Sequence, residues 1–89
     1  MSVSLAPDVL EDELAVTLAR VMAAANKRAG ELGVDTGHSL ITIAQRPLDG
    51  ELVWRVNYGP REYVGRRGGD IIIDVDPRSL IVKQVLRGQ

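Results

Sequence analysis

Leu52-Val53-Trp54-Arg55-Val56-Asn57-Tyr58 is the stretch that decides the fold. Leu52, Trp54, Val56 and Tyr58 fall on one parity; Val53, Arg55 and Asn57 fall on the other. Successive side chains of a strand point to opposite faces, so the alternation predicts a half-buried strand with its Leu52–Tyr58 side on a core. Trp54 and Tyr58 read as part of that core, because they share a parity with Leu52 and Val56, rather than as the lining of a ligand pocket.

Upstream, Leu10, Leu14, Leu18, Val21, Met22, Ala25, Ala29 and Leu32 recur mostly at spacings of three or four. That spacing predicts one amphipathic helix with a single buried stripe. Pro7 and Asp8 mark its start, with Glu11 placed as in a capping box. Glu11, Asp12 and Glu13 complement the positive end of the helix dipole, and Lys27 and Arg28 the negative end. Gly33 is the expected left-handed cap. Such a helix, about 22–25 residues, is roughly 33–37 Å long. A nine-residue strand spans about 30 Å, so the two match along most of their length.

Downstream and between, three further strands are expected. The first is His38–Arg46, joined to Glu51–Tyr58 by Pro47-Leu48-Asp49-Gly50, where Asp-Gly favours a tight hairpin. Gly59 and Pro60 should stop the second strand. The third is Asp70–Asp76, followed by a turn at Asp76-Pro77-Arg78-Ser79 with proline at its second position. The fourth is Leu80–Arg87, whose imperfect alternation predicts a bulge or burial on both faces. Short connections imply an antiparallel meander. The fold class is therefore α+β: one long N-terminal helix packed on a four-stranded antiparallel meander sheet. Residues 1–7 are read as a flexible lead-in and 8–89 as one domain. The sheet face away from the helix should carry Val53, Arg55, Asn57, Ile72, Asp74 and Asp76, a mixed surface suited to self-association or partner contact. Two open edges also need protection or pairing.

The bulk numbers agree with one small domain. The chain has 89 residues, of which 45% are hydrophobic, and a formal net charge of -1. With no global basic field, nucleic acid is excluded as the default partner. Charge is uneven: residues 1–37 hold six acids and three bases, and residues 38–89 hold six acids and eight bases, seven of them arginine. Cysteine is absent, which removes disulfides and thiolate metal sites. Met1 to Asp8 lacks a positive, apolar leader pattern, and the longest apolar runs are too short for a bilayer. A cytoplasmic protein without membrane contact is the expectation.

No catalytic grouping emerges. His38 and Ser39 are strand neighbours aimed at opposite faces, which does not make a nucleophile and base. Asp70, Asp74 and Asp76 share a parity, but without a calcium-type ligand loop they read as a polar face paired with Arg55, Lys83 or Arg87. No catalytic residue, metal ligand or cofactor is assigned. Residues 59–69 hold four glycines and three arginines. They match no nucleotide-binding loop, since neither glycine spacing nor a following helix is present. Arginines there can fork onto carboxylates, so Arg61, Tyr63, Arg66 and Arg67 are the expected partner-binding residues.

The order of elements resembles small cystatin-like domains, in which one long helix is wrapped by an antiparallel sheet. Two bacterial groups are similar. PepSY domains end in a V-D-x-x-(T/S)-G-x-V hairpin, matched here by Val75-Asp76, Ser79 and Val82. Immunity proteins with the nuclear-transport-factor fold show a W-x-V strand, a glycine pair, an apolar strand ending in Asp and a closing glycine. Trp54-Arg55-Val56, Gly68-Gly69, Ile73-Asp74-Val75-Asp76 and Gly88-Gln89 carry that second likeness. The chain departs from the PepSY pattern at Leu80, where glycine is usual. These resemblances imply inhibition or protein binding, not catalysis. The expected function is a small non-enzymatic protein-binding module, of an inhibitor or immunity type, with an unidentified protein partner. The alternatives are a small-ligand or anion-binding domain with a site between helix and sheet, and a self-assembling structural domain such as a homodimer.

Overall fold

The computed structural model of the protein describes residues 7–60 and 70–88. They form a short helix α1, Pro7–Glu11, then the main helix α2, Glu13–Glu31. A single 3-10 turn, Thr36–His38, leads into strands β1, Ser39–Leu48, β2, Glu51–Pro60, β3, Ile71–Val75, and β4, Val82–Arg87. The strands lie in the order β1-β2-β3-β4, every neighbouring pair antiparallel. The predicted α+β meander is the observed fold.

Helix α2 starts later than the spacing predicted. Asp12 breaks from α1 with an extended backbone, and its carboxylate accepts from the Leu14 and Ala15 amides at 3.0 and 3.1 Å. Asp12, not Asp8, is the cap of the long helix, because its side chain satisfies amides the first turn leaves free. The other end follows expectation. Gly33 sits at φ 85°; its amide reaches the Gly30 carbonyl at 3.1 Å, and the Val34 amide reaches Ala29 at 2.9 Å. This is the paired closure of a left-handed helix cap, where a Cβ is disfavoured.

Val21, Ala25 and Ala29 are fully buried, four residues apart on one face. Two of the three are alanines, so the helix backbone sits close to the sheet. They pack with Val56, Tyr58, Ile71, Ile73 and Val75. Met22, Leu32, Val34 and Trp54 close the cluster from its sides. The Tyr58 hydroxyl donates to Asn26 Oδ1 at 2.5 Å, so this buried phenol is satisfied. Burial pushes the Tyr58 phenol up to about 12.

The stripe is only half used. Leu10 and Leu14, expected in the core, are exposed, as is Leu52 at the start of β2. Helix α2 lies across β2, β3 and β4. Strand β1 lies at the margin of that cover, with Ile41 packed against the cluster and Ile43 exposed.

The β1–β2 connection is the two-residue loop Asp49-Gly50, with φ of 51° and 83°. Both values are positive, as a type I′ hairpin requires. Strand β2 does not stop at Gly59. It continues through Gly59 and Pro60, paired with Leu40 and Ser39. Proline is tolerated there because antiparallel pairs alternate, and the Ser39–Pro60 pair is one that exchanges no hydrogen bonds. Between β3 and β4 the register shifts at Asp74/Val75: Asp74 faces Gln84 and Val75 faces Val82, leaving Lys83 as the bulged residue. The predicted irregularity of the last strand is this bulge.

The outer sheet face departs from the sequence reading. Val53 and Asp74, expected at solvent, are buried, Asp74 at 0% exposure. For Asp74 the cause is a cross-strand ladder in which Ala44, Arg55, Asp74 and Gln84 share one register line. Arg55 and Gln84 close over the carboxylate between them. No described helix is long and apolar enough to cross a membrane.

Candidate partner-binding surface

In an antiparallel meander the β1–β2 and β3–β4 connections emerge at the same end of the sheet. At that end the two loops flank an open concavity of about 660 Å³, lined among others by Gln45, Glu51, Leu52, Asp76, Pro77 and Arg78. The hairpin loop supplies one wall through its type I′ geometry. The other wall is locked by Asp76, whose Oδ1 accepts from the Arg78 and Ser79 amides at 2.7 and 3.1 Å. The Asp76 amide donates to the Ile81 carbonyl at 3.0 Å, and the Leu80 amide to the Asp76 carbonyl at 2.9 Å. The backbone bonds from Arg78 and Ser79 hold the Asp76 carboxyl below the usual carboxylate range.

Closing this loop places Leu80 at φ 61°. That is the left-handed region, costly for a side chain with a Cβ and routine for glycine. The Leu80 side chain compensates by packing on the core cluster.

Two large apolar side chains near these loops lack cover: Leu52, which lines the concavity, is 59% exposed, and Ile81, whose carbonyl accepts from the Asp76 amide, is 58% exposed. Leu10 in α1 and Leu14 at the start of α2 are exposed as well. No direct signal for this surface is legible in the sequence. Leu52 carries the parity of the core residues but sits beyond the last β2–β3 pair, Trp54–Val75.

The other candidates fall out differently. Arg61, Tyr63, Arg66 and Arg67 lie outside the described residues. His38 Nδ1 donates to Asp35 Oδ2 at 2.8 Å, and Ser39 Oγ donates to the Asp35 carbonyl at 2.8 Å, so both turn to Asp35 and not to each other. Asp74 is committed to Arg55 and Gln84, and Asp76 to its own loop. Among the described residues no group of three or more histidines and carboxylates is placed to hold a metal ion. Asn57, on the outer face between Thr42 and Ile72, has its Oδ1 buried with no hydrogen-bond partner among the described residues.

Comparison with protein-family models, with curated proteins and with solved structures finds no match to the chain.

Proposed function

We propose that the chain is a small, non-enzymatic, cytoplasmic protein-binding module of the inhibitor or immunity type, and that it engages its partner at the loop end of the sheet. The observation that carries this reading is the uncovered side chain of Leu52 on the wall of a concavity that also bears Glu51, Asp76 and Arg78, with Ile81 exposed beside the Asp76 loop. A desolvated apolar anchor inside a polar rim is the usual anatomy of a protein-binding hot spot. The close packing around Tyr58 supports surface binding over a ligand site between helix and sheet. The likeness to cystatin-like, PepSY and immunity domains, carried by Trp54-Arg55-Val56 and Ile73-Asp74-Val75-Asp76, points to the same class. The sequence adds Arg61, Tyr63, Arg66 and Arg67 as a second contact.

The test is capture of proteins encoded by neighbouring genes by the wild-type chain, by Leu52→Asp with Ile81→Asp, and by Arg66→Ala with Arg67→Ala. Loss of a saturable partner in the first double variant is expected. Undiminished binding there removes the loop-end surface, and undiminished binding in the arginine variant removes the second contact.

A further inference from the structure

The two edges of the sheet are treated differently. Strand β4 is short, bulged at Lys83 and bears Lys83 and Arg87. Bulges and charges are the ordinary protection of an edge against pairing. Strand β1 is ten residues long, has no bulge against β2 and is uncharged from Ser39 to Gln45. Among the described residues no strand occupies its outer edge.

The hydrogen-bonding groups on that edge follow from the hairpin. A two-residue type I′ loop makes its flanking residues, Leu48 and Glu51, a hydrogen-bonded pair. Alternation then turns the backbone of Arg46, Ala44, Thr42 and Leu40 toward β2, and that of Pro47, Gln45, Ile43, Ile41 and Ser39 outward. Pro47 has no N–H, and the Ser39 amide donates to the Thr36 carbonyl. The free outward donors are therefore Ile41, Ile43 and Gln45. They are centred on Ile43 and bounded on each side by a residue with no donor to offer. The pattern reads the same from either end.

We propose that two copies of the chain pair antiparallel along β1, with Ile43 opposite the partner's Ile43, joining their sheets into one. In this register Ile41 faces the partner's Gln45, and every outward donor and carbonyl from Ile41 to Gln45 is satisfied, about six hydrogen bonds in all. Sliding the partner by two residues leaves a carbonyl of Ile41 or Gln45 without a donor. The side chains agree with a second copy as the occupant. Ile43 is 38% exposed on the helix-bearing face, and the two-fold axis sets it against its own equivalent. Leu40, 49% exposed on the other face, meets the partner's Arg46, whose aliphatic stem can cover it. A neutral edge also faces itself without repulsion. This inference rests on the β1 edge and not on the loop-end reading, although Gln45 belongs to both the seam and the concavity.

The experiment uses the absence of cysteine. In the proposed register Thr42 and the partner's Ala44 form a pair that exchanges no hydrogen bonds, with Cα atoms about 4.5 Å apart, within disulfide range. Full chains carrying Thr42→Cys and Ala44→Cys, mixed and oxidised, should give the mixed disulfide in clear excess over both homodimers. Sedimentation of the wild-type chain should show a monomer–dimer equilibrium that Ile43→Lys weakens by at least about tenfold. A wild-type chain monomeric up to near-millimolar concentration, random disulfide yields, or an Ile43→Lys dimer of unchanged affinity each overturns the proposal. Because Leu52 and Ile81 are untouched in these variants, partner capture separates this outcome from failure of the loop-end reading.

Discussion

Arg55 and Asp74 meet across β2 and β3 as a two-pronged pair, Nε to Oδ1 at 2.9 Å and Nη2 to Oδ2 at 3.0 Å. Gln84 completes the carboxylate from β4 with a 2.9 Å bond to Oδ2. Three strands are thus tied by one anion on the face that the helix does not cover. Burial works to raise the Asp74 pKa, but the bonds from Arg55 and Gln84, with the charges of Arg55 and Arg46, win and hold it below the usual value. Geometry of this kind is what lets a buried ion pair repay its desolvation.

Asp74→Asn should therefore destabilise the fold by roughly 3 kcal/mol, because Arg55 is left partly buried without its counter-charge. The pH dependence has a definite sign. A carboxyl whose folded pKa is depressed contributes fully above its unfolded value, near 4, and loses that contribution as the pH falls through the folded one. Urea unfolding at a series of pH values should show wild-type stability falling below about pH 4. The Asp74→Asn variant should show a flatter acid limb, and equal slopes would disprove the assignment.

Tyr58→Phe removes the bond to Asn26 and keeps the packing, so a loss of about 1 kcal/mol is expected. The phenol is held protonated to about pH 12. Its contribution is full below the unfolded value, near 10, and disappears as the pH rises through the folded one. Ultraviolet titration should show a late tyrosinate step that Tyr58→Phe abolishes.

Leu80 offers a test in which the normal ranking of substitutions inverts. Both Leu80→Ala and Leu80→Gly forfeit the packing of the leucine on the core. Only glycine relieves the left-handed backbone at φ 61°. The glycine variant should be the more stable of the two by about 1 kcal/mol, against the usual preference for alanine. Denaturation midpoints of the pair decide it.

Asn57→Val should raise stability by about 1 kcal/mol. The substitution removes a buried acceptor with no partner and places a β-branched residue in a central strand. Calorimetry showing a lower melting temperature would mean that Asn57 Oδ1 is satisfied in solution.

What could be read beforehand divides along physical lines. Local chemistry was legible: Gly33 and Asp49-Gly50 carry their turn geometry in their own backbones, and the parity of Trp54, Val56 and Tyr58 names the core face. Asp12 was seen as a dipole charge but not as the cap, because Asp8 and Asp12 offer the same side chain and only the break after Glu11 chooses between them. The alternation puts Val53 and Asp74 on the correct face and leaves them at solvent, whereas both are buried. Parity says which way a side chain points, not what its neighbours fold over it. The exposure of Leu10, Leu14 and Leu52 was hidden for the complementary reason, since an apolar stripe does not announce where the opposing layer ends.

The extra residue at Lys83 has a consequence for how far assembly can go. One rim of the sheet is regular and the other is spoiled, so a joined pair presents only spoiled rims outward. In the proposed dimer, growth would stop at two, a way to associate without becoming the seed of a fibre.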